Sequence, residues 1–311
     1  MGKSPSRLTN FFKVKFFMNL VKIKAYAKIN LTLEIQGVEA GYHLLDSLVA
    51  SIDLYDLILL KKRKDGRSTI TMRGMDSENI PPEKNNALKC AEAFSKKFGV
   101  NGVDITVRKN IPIGAGLGGS SADIAGVILG MAKLYSITDF SALKSLAHSL
   151  GSDTGYMLTG GFARMQGRGE KLTRLPIGER LNLLLICPYT SVSAGECYQK
   201  YDTLPKTLEW RESQTQGCID ALLKKDINEA GRYLTNDLFV PALHLNGEVE
   251  KAVNEAKAFA PVGACMTGSG SGAFAIFQSK KLCLQAKRRY KGSFRVITAQ
   301  TICPHKGEDG K

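Results

Sequence analysis

Apolar positions recur along this chain with two periods, and each change of period marks a new element. Residues 21–35 read as one long β-like stretch. Two shorter β-like runs, 57–60 and 68–72, flank Asp65-Gly66, a dipeptide that signals a hairpin. Residues 86–98 switch to helical spacing, with Leu88, Ala91, Phe94 and Phe98 on one side. Val103, Ile105 and Val107 then alternate with polar residues, as in a half-buried strand. A glycine-rich turn over 112–119 runs into a helix of small residues over about 120–134. The spacing predicts another helix over 139–150, with Thr138 as its N-cap and Gly151 as its stop.

The pattern restarts after the turn Pro176-Ile177-Gly178, where residues 181–186 read as a buried strand. The second half predicts helices near 217–224, 227–234 and 248–259, a strand at 273–277, a helix near 280–290 and a last strand at 294–299. The expected organisation is an N-terminal domain over 18–178 and a C-terminal domain over 179–303. Residues 1–17 are expected to be disordered or an extension, and 304–311 a frayed tail. In the first segment lysines interrupt Phe11-Phe12 and Phe16-Phe17, which argues against a signal peptide, and Met18 is expected to open the folded part. Met1-Gly2 with Ser6 fits a myristoylation pattern, but one short enough to arise by chance.

Composition narrows the class. The chain of 311 residues is 43 % apolar and 23 % charged, which excludes a disordered or fibrous protein. Its longest apolar runs, such as 183–187, fall far short of the roughly 18 residues that span a bilayer. The formal net charge of +14 suits an anionic partner: nucleic acid, a membrane surface or a phosphorylated small molecule. The basic residues are scattered, and the densest run, 61–64, falls at the expected hairpin tip and reads as solvated. A small-molecule substrate is therefore expected, with no nucleic acid and no membrane. Seven cysteines, odd in number and dispersed, and four distant histidines argue against a disulfide framework and a structural zinc. They imply a reducing, cytoplasmic setting.

The most informative segment is Ile111-Pro112-Ile113-Gly114-Ala115-Gly116-Leu117-Gly118-Gly119-Ser120-Ser121. It contains Gly-x-Gly-x-x-Gly, but Pro112 separates the strand from the glycines and Asp139 begins a helix, so a dinucleotide fold is not indicated. No lysine precedes the serines, so it is not a Walker A loop. Its physics still favours an anion. Glycines let backbone approach a phosphate closely, the following helix presents unpaired N–H groups, and two hydroxyls add donors. A ligand-free turn would have little use for so many glycines, given the entropy each costs to order.

This loop resembles the second motif of the GHMP-superfamily kinases. Residues 27–33, Ala-Lys-Ile-Asn-Leu-Thr-Leu, resemble the first motif, and 266–275, Met-Thr-Gly-Ser-Gly-Ser-Gly-Ala-Phe-Ala, the third. Within the superfamily the resemblance is to the branch acting on a cytidine-diphosphate-linked methylerythritol of the non-mevalonate isoprenoid route. Gly41-Tyr42-His43, Gly151-Ser152-Asp153, Gly167-Arg168-Gly169-Glu170 and Asn236-Asp237-Leu238 are similar to that branch. Three departures stand out. The family loop usually carries one more glycine before the serines. Val-Pro and aromatics usually follow the aspartate, where this chain has Thr154-Gly155-Tyr156. Val192 and then Ser193 stand where the family often has Thr.

The resemblance implies an α/β (α+β) GHMP-kinase fold. A ribosomal-protein-like N-terminal domain would be followed by a ferredoxin-like α/β-plait C-terminal domain, with the site between them. It implies ATP with Mg²⁺, and a monomer or weak homodimer. Asp153 would be the catalytic base and Lys28 its partner. ATP would lie along Asn86, Pro112, Gly114, Gly116, Leu117, Gly118, Gly119, Ser120 and Ser121. Asn30, Tyr42, His43, Ser193, Gly268, Ser269 and Gly270 would hold the substrate. No dedicated carboxylate cage is present for the metal, so phosphates and water would supply most ligands. Two other readings stay open: a superfamily kinase for homoserine, mevalonate or a sugar, and a non-catalytic nucleotide or RNA binder on the same scaffold. Tyr42-His43 favours the first reading, because stacking plus edge hydrogen bonds are what a pyrimidine requires.

Overall fold

The computed structural model describes residues 15–17, 19–75, 81, 85–205 and 212–302. Most of the N-terminal extension, Cys303 and the 304–311 tail lie outside the described residues, but residues 15–17 are not disordered: they pair antiparallel with residues 20–22, so the fold begins before Met18. Strands β1 (Lys15–Phe17), β2 (Leu20–Asn30), β3 (Thr32–Glu39), β4 (Tyr42–Lys62) and β5 (Thr69–Gly74) come first. Helix α1 (Asn86–Phe98) and strand β6 (Val103–Lys109) follow, then helices α2 (Gly119–Tyr135), α3 (Phe140–Leu150) and α4 (Thr154–Met157). Strands β7 (Phe162–Gly167) and β8 (Lys171–Arg174) end the first half.

The 21-residue β4 organises this half. Along one of its edges run β2 and then β3; along the other run β6 and then β7, all antiparallel to it. The expected long stretch over 21–35 is thus two strands broken only at Leu31, whose N–H still donates to the Leu48 carbonyl at 2.8 Å. The expected hairpin at Asp65-Gly66 does not form. β5 pairs parallel with β6, and β6 lies between β5 and β4. The Asp65 loop instead closes over the start of β6: Arg63 bonds Asp65 and Asp104, and Gly102 N–H donates to the Asp65 carbonyl. The turn signal was local, and the apolar alternation of β6, which fills the place beside β4, overrode it.

Helix α2 lies across β2 and β4. Gly126 approaches Ile58 and Ala25, and Gly130 approaches Leu60 and Ile23, so the missing side chains bring helix and sheet close. Helix α3 begins one residue later than the spacing suggests, with Asp139 rather than Thr138 as its cap, accepting from Ala142 N–H at 3.0 Å.

The second half contains β9 (Asn182–Cys187), α5 (Ala194–Thr203), α6 (Gln214–Leu223), α7 (Ile227–Arg232), β10 (Thr235–Asn236), α8 (Phe239–Leu245), α9 (Glu248–Lys257), β11 (Gly263–Met266), β12 (Ala273–Phe277), α10 (Lys280–Arg289) and β13 (Arg295–Gln300). Four strands form an antiparallel sheet in the order β11-β12-β9-β13. With α9 and α10 in sequence this is the β-α-β-β-α-β ferredoxin-like plait that was expected. β9 is buried along its whole length, as its unbroken apolar run requires. The short β10 leaves this half and pairs parallel with β3, at Thr235–Thr32 and Asn236–Leu33. Among the described residues no helix is long and apolar enough to cross a membrane.

A buried ionic cluster fixes the start of the glycine loop. Asp56, fully buried on β4, accepts from Asn110 N–H at 2.6 Å and Ile111 N–H at 2.9 Å, and pairs with Lys109. Lys109 also reaches Asp123 of α2 at 2.7 Å. Burial pulls the Lys109 ammonium toward neutrality, but the two carboxylates together outweigh it and hold it charged. Replacing Asp56 with Ala leaves the buried Lys109 cation with Asp123 alone and strands two N–H groups, and should cost about 3–5 kcal/mol of unfolding free energy. Urea denaturation measures it, and a loss below about 1 kcal/mol would show that the loop does not depend on this carboxylate.

Candidate active site

Lys28 enters the site because β2 is irregular there. Its register against β4 shifts between Tyr26 and Lys28, and the Lys28 N–H donates to the Leu117 carbonyl of the glycine loop at 3.0 Å. Such a bulge re-aims a side chain. The ammonium, 5 % exposed, donates to Asn30 Oδ1 at 2.5 Å and lies 3.4 Å from Asp153 Oδ2. Asp153 sits between the α3 stop and α4, and makes no capping bond to α4. A turn aspartate would spend its carboxylate on local N–H groups; this one faces Lys28 and remains 29 % exposed.

The residues after Asp153 explain one departure from the family pattern. A side chain at Gly155 would strike the imidazole of His148, so the small residue makes room for that ring. The Tyr156 hydroxyl donates to the Gly161 carbonyl at 2.6 Å and meets Ser51 Oγ at 2.9 Å, which anchors the turn from below.

The glycine loop and the 267–272 loop interlock. Gly114, Gly116 and Gly118 all have φ near +71°, as +72°, +71° and +71°, and Ala115 and Leu117 between them are buried. At Gly116 any side chain would collide with the Thr267 carbonyl, so glycine is required both by its backbone angle and by space. Ser271 N–H donates to the Gly114 carbonyl at 3.1 Å. Gly268 N–H donates to Asn30 Oδ1 at 3.1 Å, and Asn30 N–H to Thr267 Oγ1 at 3.0 Å. Gly118, the N-cap of α2, has no side chain to occupy the first N–H groups of that helix. Asn86 Nδ2 donates to Ser120 Oγ at 3.1 Å and ties the starts of α1 and α2 together.

Two cavities follow. One, of about 320 Å³, is lined by Asn86, Pro112, Gly114, Gly116, Leu117, Gly118, Gly119, Ser120 and Ser121, together with Met72, Asn85 and Lys109. The other, of about 620 Å³, is lined by Lys28, Asn30, Tyr42, His43, Asp153, Gly268 and Ser269. They share Gly116, Gly118 and Ser121, next to Lys28 and Asp153. The structure thus brings the expected residues together, apart from two. Ser193 does not line either cavity; its hydroxyl caps α5 by accepting from Glu196 N–H at 3.4 Å. Gly270 faces Met266 and Val249 instead. Asn30, 1 % exposed, also donates to Ser47 Oγ at 2.9 Å and acts as a clamp between β2 and the 267–272 loop.

The far end of the larger cavity is aromatic. His43 stacks on Tyr198 at 4.7 Å between centroids, and its Nε2 bonds Asp202 at 2.9 Å. The Arg168 guanidinium lies 3.9 Å from the centre of the Tyr42 ring. Burial, and then the nearby Asp153 charge, push the Tyr198 hydroxyl up, so it stays protonated. Tyr198 and Asp202 were not singled out from the sequence, and Arg168 was quoted only within the motif Gly167-Arg168-Gly169-Glu170, with no role assigned. The capping-box spacing of Ser193 and Glu196 was the available signal for α5, which carries two of them.

A cleft between two such halves, with a glycine loop over the start of a helix, is that of a GHMP kinase. The model of the GHMP kinases N terminal domain matches residues 85–163, and that of the GHMP kinases C terminal matches 218–294. The chain is 35 % identical to 4-diphosphocytidyl-2-C-methyl-D-erythritol kinase of Caldicellulosiruptor saccharolyticus over 285 residues, 90 % of this chain and 96 % of that one. It is 35 % identical to the same kinase of Clostridium beijerinckii over 282 residues, 88 % and 98 % of the two chains. A crystal structure of 4-(cytidine 5'-diphospho)-2C-methyl-D-erythritol kinase superposes with a TM-score of 0.72 at 26 % identity, covering 90 % of this chain and 98 % of that one. Homoserine kinase from Cytophaga hutchinsonii, at 19 % identity and TM-score 0.67 over 93 % and 96 % of the chains, shares the fold. The chain belongs to the 4-diphosphocytidyl-2-C-methyl-D-erythritol kinase family, and is an ATP-dependent small-molecule kinase.

The cluster beneath the smaller cavity titrates within an accessible range. Burial raises the Asp123 carboxyl, Lys109 opposes and Asp56 reinforces it, leaving it near about 7 against an ordinary 3.8. A carboxyl that holds its proton more tightly when folded stabilises the protein fully below its unfolded value. That contribution is lost as pH rises through the folded value. Melting temperature should therefore fall more for the wild type than for Asp123→Asn between about pH 5 and about pH 8. Parallel melting curves for the two proteins would remove Asp123 as the titrating group.

Proposed function

We propose that this chain transfers the γ-phosphoryl group of ATP to the 2-hydroxyl of 4-diphosphocytidyl-2-C-methyl-D-erythritol. The observation that carries the reading is the shared wall of the two cavities, with Lys28 and Asp153 beside it. ATP would lie in the smaller cavity along 112–121, its phosphates on the first N–H groups of α2 and the hydroxyls of Ser120 and Ser121. The acceptor would occupy the larger cavity, with its cytosine among Tyr42, His43 and Tyr198 and its polyol toward Asp153. That aromatic end is what a homoserine, mevalonate or sugar acceptor would not need.

The chemistry asks little beyond positioning and one proton acceptor. The Asp153 carboxylate takes the proton of the attacking hydroxyl. The Lys28 ammonium pairs with Asp153, holds it in place, and offers positive charge to the transferring group. Mg²⁺ fits the donor set here: the hydroxyls of Ser120 and Ser121 and the Asp153 carboxylate are hard oxygen ligands. Among the described residues no cluster of three or more His, Cys, Asp or Glu forms a cage. When bound with ATP the ion would neutralise phosphate charge, with phosphates and water completing its shell. The six described cysteines are unbridged and buried, in keeping with a reducing cytoplasm.

Asp153→Asn should keep the fold and ATP binding and lower kcat about 10²–10⁴-fold, measured by steady-state turnover. A variant with near-normal kcat would take Asp153 out of the mechanism. His43→Ala removes contacts made equally in the ground and transition states. It should raise KM for the cytidine-linked substrate by the equivalent of about 1–3 kcal/mol and leave KM for ATP in place. If KM for ATP collapses instead, the cytosine does not sit at His43.

A further inference from the structure

The proposed mechanism leaves Asn236-Asp237-Leu238 unused, yet this segment carries one of the links between the two halves of the molecule. β10 is two residues long and comes from the C-terminal half, but it hydrogen-bonds to β3, the continuation of the strand that carries Lys28. Asp237 pins the strap to the same strand twice. Asp237 N–H donates to the Leu33 carbonyl at 2.9 Å, and Asp237 Oδ2 accepts from Ile35 N–H at 2.7 Å.

From that fixed point Asn236, a buried side chain, reaches the 267–272 loop. Its Nδ2 donates to the Met266 carbonyl at 3.0 Å and to the Gly268 carbonyl at 2.9 Å. Its Oδ1 accepts from Leu238 N–H at 3.0 Å, so the amide cannot turn over without losing bonds. Gly268 passes the constraint on. Its N–H donates to Asn30 Oδ1, the same oxygen that accepts from the Lys28 ammonium, which in turn faces Asp153. The Gly268 N–H and the bond from Asn30 Nδ2 to Ser47 orient the oxygen that receives Lys28, and Asn236 holds Gly268 through its carbonyl.

We infer that Asn236 is a positioning residue for phosphoryl transfer, acting through Gly268 and Asn30 on the Lys28 ammonium. The inference rests on the reading of Lys28 and Asp153 as the transfer centre. A side chain that only glued the two halves together would affect stability and both substrates alike. A positioning residue shows itself in kcat, because a small misplacement of reacting groups is costly even when binding survives.

The test is steady-state kinetics of Asn236→Asp, Asn236→Ala, Lys28→Met and the Asn236→Asp/Lys28→Met double variant, with thermal melting of each. The aspartate is isosteric and keeps an acceptor for Leu238, but sets an oxygen against the two carbonyls. Its kcat should fall about 10–100-fold while KM for ATP stays within about threefold. Asn236→Ala lacks the repulsion and should lie between it and the wild type. In the Lys28→Met background the aspartate should cost nothing further, since the group it positions is gone. An Asn236→Asp enzyme with wild-type kcat, or losses that multiply in the double variant, would overturn the inference while leaving the transfer centre standing. A Lys28→Met enzyme with wild-type kcat would remove the transfer centre itself, and with it anything for Asn236 to position.

Discussion

A lysine ammonium that is almost wholly removed from water must find its compensation inside the protein, and the site is arranged around that demand. Lys28 obtains it from Asp153 and from Asn30 Oδ1. These partners arrive from different parts of the chain. Asp153 comes from the turn after α3, and Asn30 is held by the 267–272 loop of the other half. Satisfying one charge therefore draws the helical layer, the large sheet and the C-terminal half to a single point. An unpaired charge there would cost several kcal/mol, so the arrangement is specified rather than merely permitted.

The interlocked loops follow from the same convergence. With the Lys28 N–H bonded to the Leu117 carbonyl, the glycine loop is pinned to β2, and the 267–272 loop must pass over it at backbone distance. Only glycine at 116 allows that approach. The consequence is two cavities with a common wall, one over the start of α2 and one ending at His43 and Tyr198. Transfer between a phosphate donor and an alcohol acceptor needs such adjacency, with each reactant held from its own side.

A second buried charge cluster, Lys109 with Asp56 and Asp123, plays the corresponding part for the loop's entrance. It fastens the end of β6 to β4 and α2 before the glycines begin. A loop with so much conformational freedom needs a firm anchor at each end, and α2 supplies the other by packing its small residues against Ile58 and Leu60.

Much of this was legible in the chain itself. The glycine loop, the small-residue helix after it, the plait strands and the three motifs are local patterns, because backbone angles and side-chain periodicity are written in neighbouring residues. Lys28 in an apolar strand already announced that a partner must exist. Other features were not local. The Asp65-Gly66 signal was read as a hairpin, yet β6, some forty residues on, took the place beside β4. Ser193 caps a helix and lines neither cavity, and Tyr198 and Asp202 reached the cavity only because that helix was folded against His43. Asn30 lines the larger cavity as expected, but that its amide also bonds Lys28, Ser47 and the 267–272 loop was not readable from the chain. Local sequence determines which conformations a segment can adopt; which strand wins an edge, and which polar group is already satisfied, depends on groups far away in the chain that meet only when the whole structure closes.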